Sequence, residues 1–330
     1  MGISFLIKAV RGFDLSRCLR EVKRVSEKHG KAKCLVIVDM LWCSLRYGAG
    51  PMDYALFDFC GKPSTLRKTY ITRGINNRLV RKYNAPSAWK LFDNKAEFNR
   101  RFAPYIRRAW TTVDEMTMID LQLLRNGKEE ILYKPLAGTC GKGIRKISCG
   151  ENVRHLFSKL KRLENGMLEE IVVQHPVMAA LYPYAVNTVR VMTLYHNQQC
   201  TPLFAFLRIG NGGNVVDNLN SGGIAAKLDV HTGRILMPAA DKDGIVYETH
   251  PMTGTPLVGF TVPHWEEVLS VCAEAAALVP EVGYVGWDVC VRENDVLLIE
   301  GNCYPGHDIL QLPAYTPDGV GLLEEIQPYL

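Results

Sequence analysis

The sequence predicts an α+β protein in which a basic, mostly helical region precedes two mixed α+β subdomains. Three observations predict it. Beyond residue 90, strand and helix patterns follow one another in mixed order. Near the C-terminus two apolar strand patterns are separated by a turn of only a few residues, the signature of an antiparallel hairpin. The first ninety residues carry eighteen Lys or Arg against six Asp or Glu, although the whole chain of 330 residues has a net charge of only +5, so the remainder is slightly acidic. A chain of this length can bury a large core and divide into subdomains. We place the boundaries at 1–90, 91–170 and 171–330.

In the N-terminal region, Leu15 to Lys28 has helical spacing, with Leu15, Cys18, Leu19, Val22 and Val25 on one face and basic residues elsewhere. Arg67, Lys68, Arg73, Arg78, Arg81 and Lys82 continue the positive character. Three readings stay open: a solvated basic face, a platform for an acidic substrate, and a peripheral membrane contact. No nucleic-acid motif supports a fourth.

Beyond residue 90, Lys95 to Arg108 reads as a helix, and Ile131 to Pro135 and Gly143 to Ser148 as a hairpin. A helix follows at Asn152 to Leu163, with Val153, Leu156, Phe157 and Leu160 on one face. Strands are predicted at Ile171 to Gln174, Val186 to Tyr195, Pro202 to Arg208 and Ile224 to Asp229, and the turn Asp229 to Gly233 leads to another. Trp265 to Leu278 reads as a helix expected to pack on the C-terminal hairpin. The apolar fraction of 47% and charged fraction of 22% are ordinary for a globular protein. No apolar run reaches the ~20 residues that span a bilayer. Phe5-Leu-Ile is too short for a signal-peptide core, and Leu6 stands where a myristoylation motif requires Ser or Thr. Ten cysteines occur without Cys-x-x-Cys spacing. Most, such as Cys34, Cys43, Cys272 and Cys290, read as reduced core residues of a cytoplasmic protein. Cys140 and Cys303 lie in contexts where a thiol could react.

The hairpin carries the chemistry. Gly283 to Arg292 and Val296 to Asn302 flank Glu293-Asn-Asp295. Centred on Asn294, the hairpin sets Asp288 opposite Glu300, about 5 Å apart, and Asn302 on the face of Glu300. Neighbours such as Val285, Trp287, Val289, Leu297 and Ile299 mark the hairpin as mostly buried. Two buried carboxylates repel unless a counter-charge is present. Oxygen ligands suit Mg²⁺ or Mn²⁺, and Mg²⁺ held by few carboxylates shares its other positions with water and phosphate. A nucleotide is therefore expected.

A second segment looks for phosphate. Glu130-Ile-Leu-Tyr-Lys134-Pro runs into the loop Gly138-Thr139-Cys-Gly141-Lys-Gly143. Its glycines would let backbone N–H groups wrap an anion, within reach of Lys134. It is neither a P-loop, since Gly143 follows Lys142, nor a dinucleotide fingerprint, since Lys146 occupies the third glycine position.

With these segments in order, the chain resembles the ATP-grasp superfamily over roughly residues 90 to 310. Phe92-Asp-Asn-Lys95-Ala-Glu-Phe98 is similar to the family's first phosphate-contacting lysine segment. Lys134 and the loop Gly138 to Gly143 resemble its second lysine and phosphate lid. Leu168-Glu169-Glu170-Ile-Val172-Val173-Gln174 is similar to the hinge that holds adenine, and Asp288, Glu300 and Asn302 to the metal triad. Val216-Asp217-Asn218 to Gly222-Gly223 is similar to the Asn-x-x-x-Gly-Gly element of ligases that add glutamate. The whole pattern most resembles the sugar-transfer-associated ATP-grasp group, associated with surface-polysaccharide biosynthesis.

The resemblance implies two sheets clamping ATP, with Mg²⁺ or Mn²⁺, and a carboxylate–amine ligase working through an acyl phosphate on small-molecule or glycan-linked substrates. Asn218 is carried over as a catalytic position. Arg190 and Arg208, each on a predicted strand, would steady a developing oxyanion, which requires a fixed charged donor. Arg190 is expected on the face of Asn187, with Thr188 on the other. His175, His250 and His307 are either bases or packed loop histidines. A kinase stopping at phosphoryl transfer and a non-catalytic nucleotide sensor stay open.

Overall fold

The structure is a computed structural model that describes residues 15–137 and 143–330. Gly138, Thr139, Cys140 and Gly141 of the predicted phosphate loop lie outside the described residues. The chain divides into two compact units.

The first unit takes residues 15–79 together with His307–Leu330. Its long helices are α1 (Leu15–His29) and α2 (Lys33–Tyr47), and a third, α3 (Arg73–Tyr83), begins in it. Val22 and Val25 of α1 pack with Val36, Met40 and Cys43 of α2 and with Tyr54, Phe57, Phe59 and Tyr70. Leu15 and Leu19 depart from the predicted face: they are exposed, because the inner face of α1 is filled by Val22 and Val25 alone. Cys34 is likewise exposed rather than buried, since α2 turns Val36 and Met40 inward instead. The C-terminal segment is fastened by Gln311, whose Oε1 accepts from Ile71 N (2.8 Å) and whose Nε2 donates to Ile71 O (2.9 Å).

The second unit, Val80–Gly306, holds two antiparallel sheets. The smaller has the order β1 (Trp110–Thr112), β4 (Gly166–Glu170), β2 (Glu130–Pro135) and β3 (Arg145–Ser148). Helices α4 (Met118–Arg125) and α5 (Val153–Leu160) cover it, with Leu121, Leu124, Leu156 and Leu160 buried against Ile131 and Leu168. Gly143 returns the chain into β3 at φ +79, where a Cβ would lie 2.8 Å from Pro135 Cγ, so only glycine fits.

The larger sheet has the order β11 (Val296–Asn302), β10 (Tyr284–Val291), β5 (Thr188–His196), β6 (Gln199–Ile209), β7 (Ile224–Leu228), β8 (Ala239–Ala240) and β9 (Val246–Tyr247). Helix α6 (Trp265–Leu278) packs across one face, as expected, burying Val268, Val271, Cys272 and Ala275 against Val189, Val191, Leu207, Val285 and Val289. Period-two alternation then sends Arg190, Arg208, Asp288 and Glu300 to the opposite face.

Some predicted elements shift. The helix expected over Lys95 to Arg108 breaks into Lys95–Arg101 and Ala103–Ile106, because Pro104 cannot donate and Arg107 is left-handed at φ 43. The strand expected at Ile171 to Gln174 lies earlier, as β4, and residues 171–175 form an irregular connection. Directly after Gly233 the chain makes the isolated bridges Arg234↔Thr261 and Leu228↔Ile235, and the next strand is the two-residue β8. Among the described residues no helix is long and apolar enough to cross a membrane, and no disulfide is present.

Candidate functional site

The hairpin β10–β11 sets Asp288 directly opposite Glu300 and Gly286 opposite Asn302. Nearer the tip the pairs are Val291↔Val296 and Val289↔Leu298, so a bulge beside Asp288 takes up one residue of β11. Asp288 and Glu300 are therefore on one face because of that bulge.

Asp288 is buried, and its carboxylate is gripped from two strands. Arg190 Nε donates to Oδ1 and Arg190 Nη2 to Oδ2 (2.7 Å), while Arg208 Nη1 also donates to Oδ2 (2.8 Å). Burial pushes the acid up, but the charges of Arg190 and Arg208 outweigh it and hold Asp288 well below the usual carboxylate range. Arg208 reaches onward, through Nη2, to Asp217 Oδ1 (3.0 Å), and Asp217 also accepts from Thr188 N (3.0 Å) and from its hydroxyl. Burial raises Asp217 despite Arg208, whereas the acids around Arg208 raise the guanidinium against its own burial. Thr188 thus shares the face of Arg190, correcting the expectation that grouped Arg190 with Asn187. A strand has period two, so residues 188 and 190 point together. Asn187 points the other way, with its amide donating to Met178 O (2.7 Å) and Tyr182 O (3.0 Å).

Glu300 feels the opposite balance. Burial raises it first, and the charge of Asp288 and a hydrogen bond with it add to the rise, against Arg190 and Arg208. Nδ2 of Asn302 is buried without a hydrogen-bond partner among the described residues. Amide orientation is set by surroundings, so an oxygen in that place would be an open ligand.

The smaller sheet contributes a second group. Lys134 of β2 forms an ion pair with Glu169 of β4, and Arg108 Nε donates to the same carboxylate (3.0 Å). All three are buried. Burial raises Glu169, but Arg108 and Lys134 more than reverse it. Arg108 Nη1 also donates to Leu298 O (2.7 Å), tying the group to β11. Lys95 opens the helix Lys95–Arg101. Asn94 caps its helix by accepting from Ala96 N and Glu97 N, and Lys95 N donates to Leu136 O (3.2 Å). Phe92 and Phe98 pack against Trp287, with ring centroids 6.0 and 6.5 Å away. Burial pushes the Lys95 ammonium down; Glu300 opposes this, Lys134 adds to it, and Glu169 opposes it. Those four side chains therefore share one electrostatic environment.

The remaining predicted positions have partners of their own. Glu170 pairs with Lys128 Nζ (2.7 Å). Val172 is half-buried and Val173 is 75% exposed. The Gln174 side chain is committed to backbone, donating to Tyr182 O and Ala185 O and accepting from Asn187 N. Asn218 Oδ1 accepts from Asn220 N (2.8 Å), capping a short 3₁₀ turn. His175 caps the helix Pro176–Leu181, His250 is buried on Gly210 O, and His307 pairs with Asp53 in the other unit, so each is a packed histidine. Cys303 is buried, which pushes its thiol up to about 11 and leaves it unreactive at neutral pH. Sequence reasoning missed Arg108 and Asp217 as members of the site. Asp217 stands directly before Asn218 within the quoted motif; Arg108 follows Arg107 with nothing to mark it.

A divalent cation fits this donor set. An ionised carboxylate offers about four lone-pair positions; Asp288 uses three on its arginines and the fourth on Glu300, so a cation would take the place of the proton that the two acids share. Burial and Asp288 raise Glu300 against Arg190 and Arg208, and among the described residues Nδ2 of Asn302 has no hydrogen-bond partner. No group of three or more His, Cys, Asp or Glu arranged for a metal occurs among the described residues, so two carboxylates and an amide are the set on offer.

The profile of the sugar-transfer-associated ATP-grasp family matches residues 145–327, more than half of the chain. Among solved structures, the chain is similar to the ATP-grasp ligase PsnB complexed with minimal precursor, at 14% identity over 74% of this chain and 64% of that one, with a TM-score of 0.41. It is similar to the ADP complex of purK, N5-carboxyaminoimidazole ribonucleotide synthetase, at 10% identity over 66% and 46%, with a TM-score of 0.41. It is also similar to D-alanine–D-alanine ligase from Bacillus anthracis, at 11% identity over 77% and 72%, with a TM-score of 0.42. The chain spans less than two thirds of the length of the first two. No curated protein matches it by sequence.

Proposed function

The chain belongs to the sugar-transfer-associated ATP-grasp family, and on that premise we propose that it is an ATP-dependent carboxylate–amine ligase. The observation that supports this reading is the buried group Lys134, Glu169 and Arg108 on the smaller sheet, which Arg108 ties to Leu298 O of β11, the strand that sets Glu300 opposite Asp288. Two lysines facing two clustered acids suit a triphosphate neutralised by cations from both sides. Lys95 and Lys134 would bind the phosphates, the segment Gly138 to Gly143 would cover them, and the chain from Glu170 to Gln174 would border the adenine. Asp288, Glu300 and Asn302 would hold Mg²⁺, or Mn²⁺, which supplies charge neutralisation at the β- and γ-phosphates when bound.

A substrate carboxylate attacks the γ-phosphorus; its oxygen forms the new bond, the β–γ bridging oxygen leaves on ADP, and an acyl phosphate results. An amine then adds to the acyl carbon, loses a proton, and expels inorganic phosphate. Arg190 and Arg208 suit the oxyanion of that addition, because Asp288 and Asp217 hold both guanidiniums in fixed directions and no reorganisation is needed. A fixed pair of guanidiniums favours a substrate carboxylate over a neutral hydroxyl. The family association points to sugar acids, amino sugars or glycan-linked acceptors of surface polysaccharide as substrates.

The test is ATP turnover by the purified chain with Mg²⁺, screened across paired acids and amines, with mass spectrometry of products. The expected result is ADP and phosphate only when both partners are present, with a product lighter than their sum by one water. A phosphorylated hydroxyl product without free phosphate would make the protein a kinase instead. Full turnover by Asp288→Asn would remove the proposed cation site.

A further inference from the structure

Helix α2 is apolar on both sides. Its inner face, Val36, Met40 and Cys43, is buried in the first unit. Its outer face carries Leu35, Val38, Leu41, Trp42 and Leu45, exposed by 61, 64, 61, 55 and 86%. A helix apolar all round is normally covered on every side, and exposed apolar patches of this kind mark contact with another molecule or a membrane. The only charges within α2 are Lys33, Asp39 and Arg46. Asp39 is spent on Arg67, with Nη1 2.7 Å away, and on the Tyr54 hydroxyl, so it adds no free negative charge to the outer face. Lys33 and Arg46 stand exposed at the two ends of the helix.

The surrounding charge decides the occupant. Residues 15–47 hold eight Lys or Arg against three Asp or Glu; Lys23, Arg24 and Lys28 of α1 are exposed and pair with Glu27, Glu21 and Asp58, so the field rests on the remaining excess of Lys and Arg. A second copy would bring the same positive field against itself. An anionic bilayer complements it: leucines and a tryptophan enter the boundary between headgroups and acyl chains while lysine and arginine meet the phosphates. Fifteen residues of helix reach only about 22 Å, short of the ~30 Å hydrocarbon thickness, so α2 would lie in the surface plane.

We propose that the outer face of α2 docks the protein on an anionic lipid bilayer, independently of the reaction it performs. The experiment sediments the full chain with vesicles of phosphatidylcholine alone and of phosphatidylcholine with phosphatidylglycerol. Binding is expected to the second and not the first, and to weaken with salt. Leu41→Gln and Leu45→Gln are each expected to weaken binding about tenfold, the scale of returning one leucine side chain to water. Both residues are exposed, so an unchanged circular dichroism spectrum is expected, and Lys33→Glu with Arg46→Glu gives a second, independent loss. Equal binding to both vesicles, or none to either, overturns the proposal. So does a dimer in light scattering that Leu45→Gln dissociates, which would make α2 a self-association face.

Discussion

At Glu300, burial and the neighbouring Asp288 both work against ionisation, so the carboxylate holds its proton more tightly in the folded chain than in the unfolded one. An acid with a raised folded pKa costs stability once pH exceeds its ordinary value, and the cost fades as pH falls towards it. Glu300→Gln removes that cost while keeping shape and hydrogen-bonding capacity. The expected outcome is a chain stabilised by about 1 kcal/mol at neutral pH, with the gain vanishing near pH 4, the ordinary Glu range. Urea unfolding of both proteins at the two pH values measures it. Turnover of ATP should fall at least about a hundredfold, as expected where a group that holds the catalytic charge is lost. A Glu300→Gln variant no more stable than the native chain would mean that Arg190 and Arg208 already neutralise the pair. Asp288 behaves oppositely: its depressed folded pKa contributes stability at neutral pH that is lost progressively as pH falls from the ordinary carboxylate range into strong acid.

The loop from Val216 to Gly223 orients Arg208, since Asp217 accepts from that guanidinium and from Thr188. Gly223 is the residue that permits it. A Cβ there would lie 2.4 Å from Asp217 O and 3.0 Å from Asn218 O, both backbone, so Gly223→Ala must move the loop. Overpacking of this kind costs about 1–3 kcal/mol. The expected outcome is a lower melting temperature together with a drop in kcat, because Asp217 moves from Arg208. Melting scans and steady-state kinetics check it; a loss of stability with kcat intact would remove Asp217 from the catalytic geometry. The hairpin was legible at this scale because a short turn and strand alternation fix which residues oppose each other. Even so, the pairing of Asp288 with Glu300 depends on a bulge that the sequence does not mark. The cluster of Arg108, Lys134 and Glu169 was not legible as a unit: its members come from separate elements, and only tertiary packing brings them together. Helix α2 escaped notice for a different reason. Helical periodicity is read from contrast between faces, and a helix apolar on both faces offers little.

At the scale of the whole molecule, the sequence shows a basic N-terminal region and a catalytic pattern after it, but not that the chain's end returns to its beginning. Nothing in the composition of residues 307–330 sets them apart, and the signal lies in pairings across more than two hundred residues. Gln311 Oε1 accepts from Ile71 N and Leu322 N, and Nε2 donates to Ile71 O and His307 O. His307 meets Asp53 (3.0 Å), and Tyr70 meets Thr316 (3.1 Å). Gln311 is fully buried, so truncating it strands several backbone groups away from water. Gln311→Ala should cost about 3 kcal/mol, and ending the chain at Gly306 should cost the first unit its fold. The larger sheet, with its own core under α6, does not draw on these bonds. Hydrogen exchange should therefore show fast exchange of amides such as Ile71 and Tyr54 in the shortened chain, while Val189, Val191 and Leu207 stay protected. Continued protection of Ile71 would mean that the helices of the first unit hold without the C-terminal segment. Loss of protection in β5 and β6 would mean that the two units fold as one.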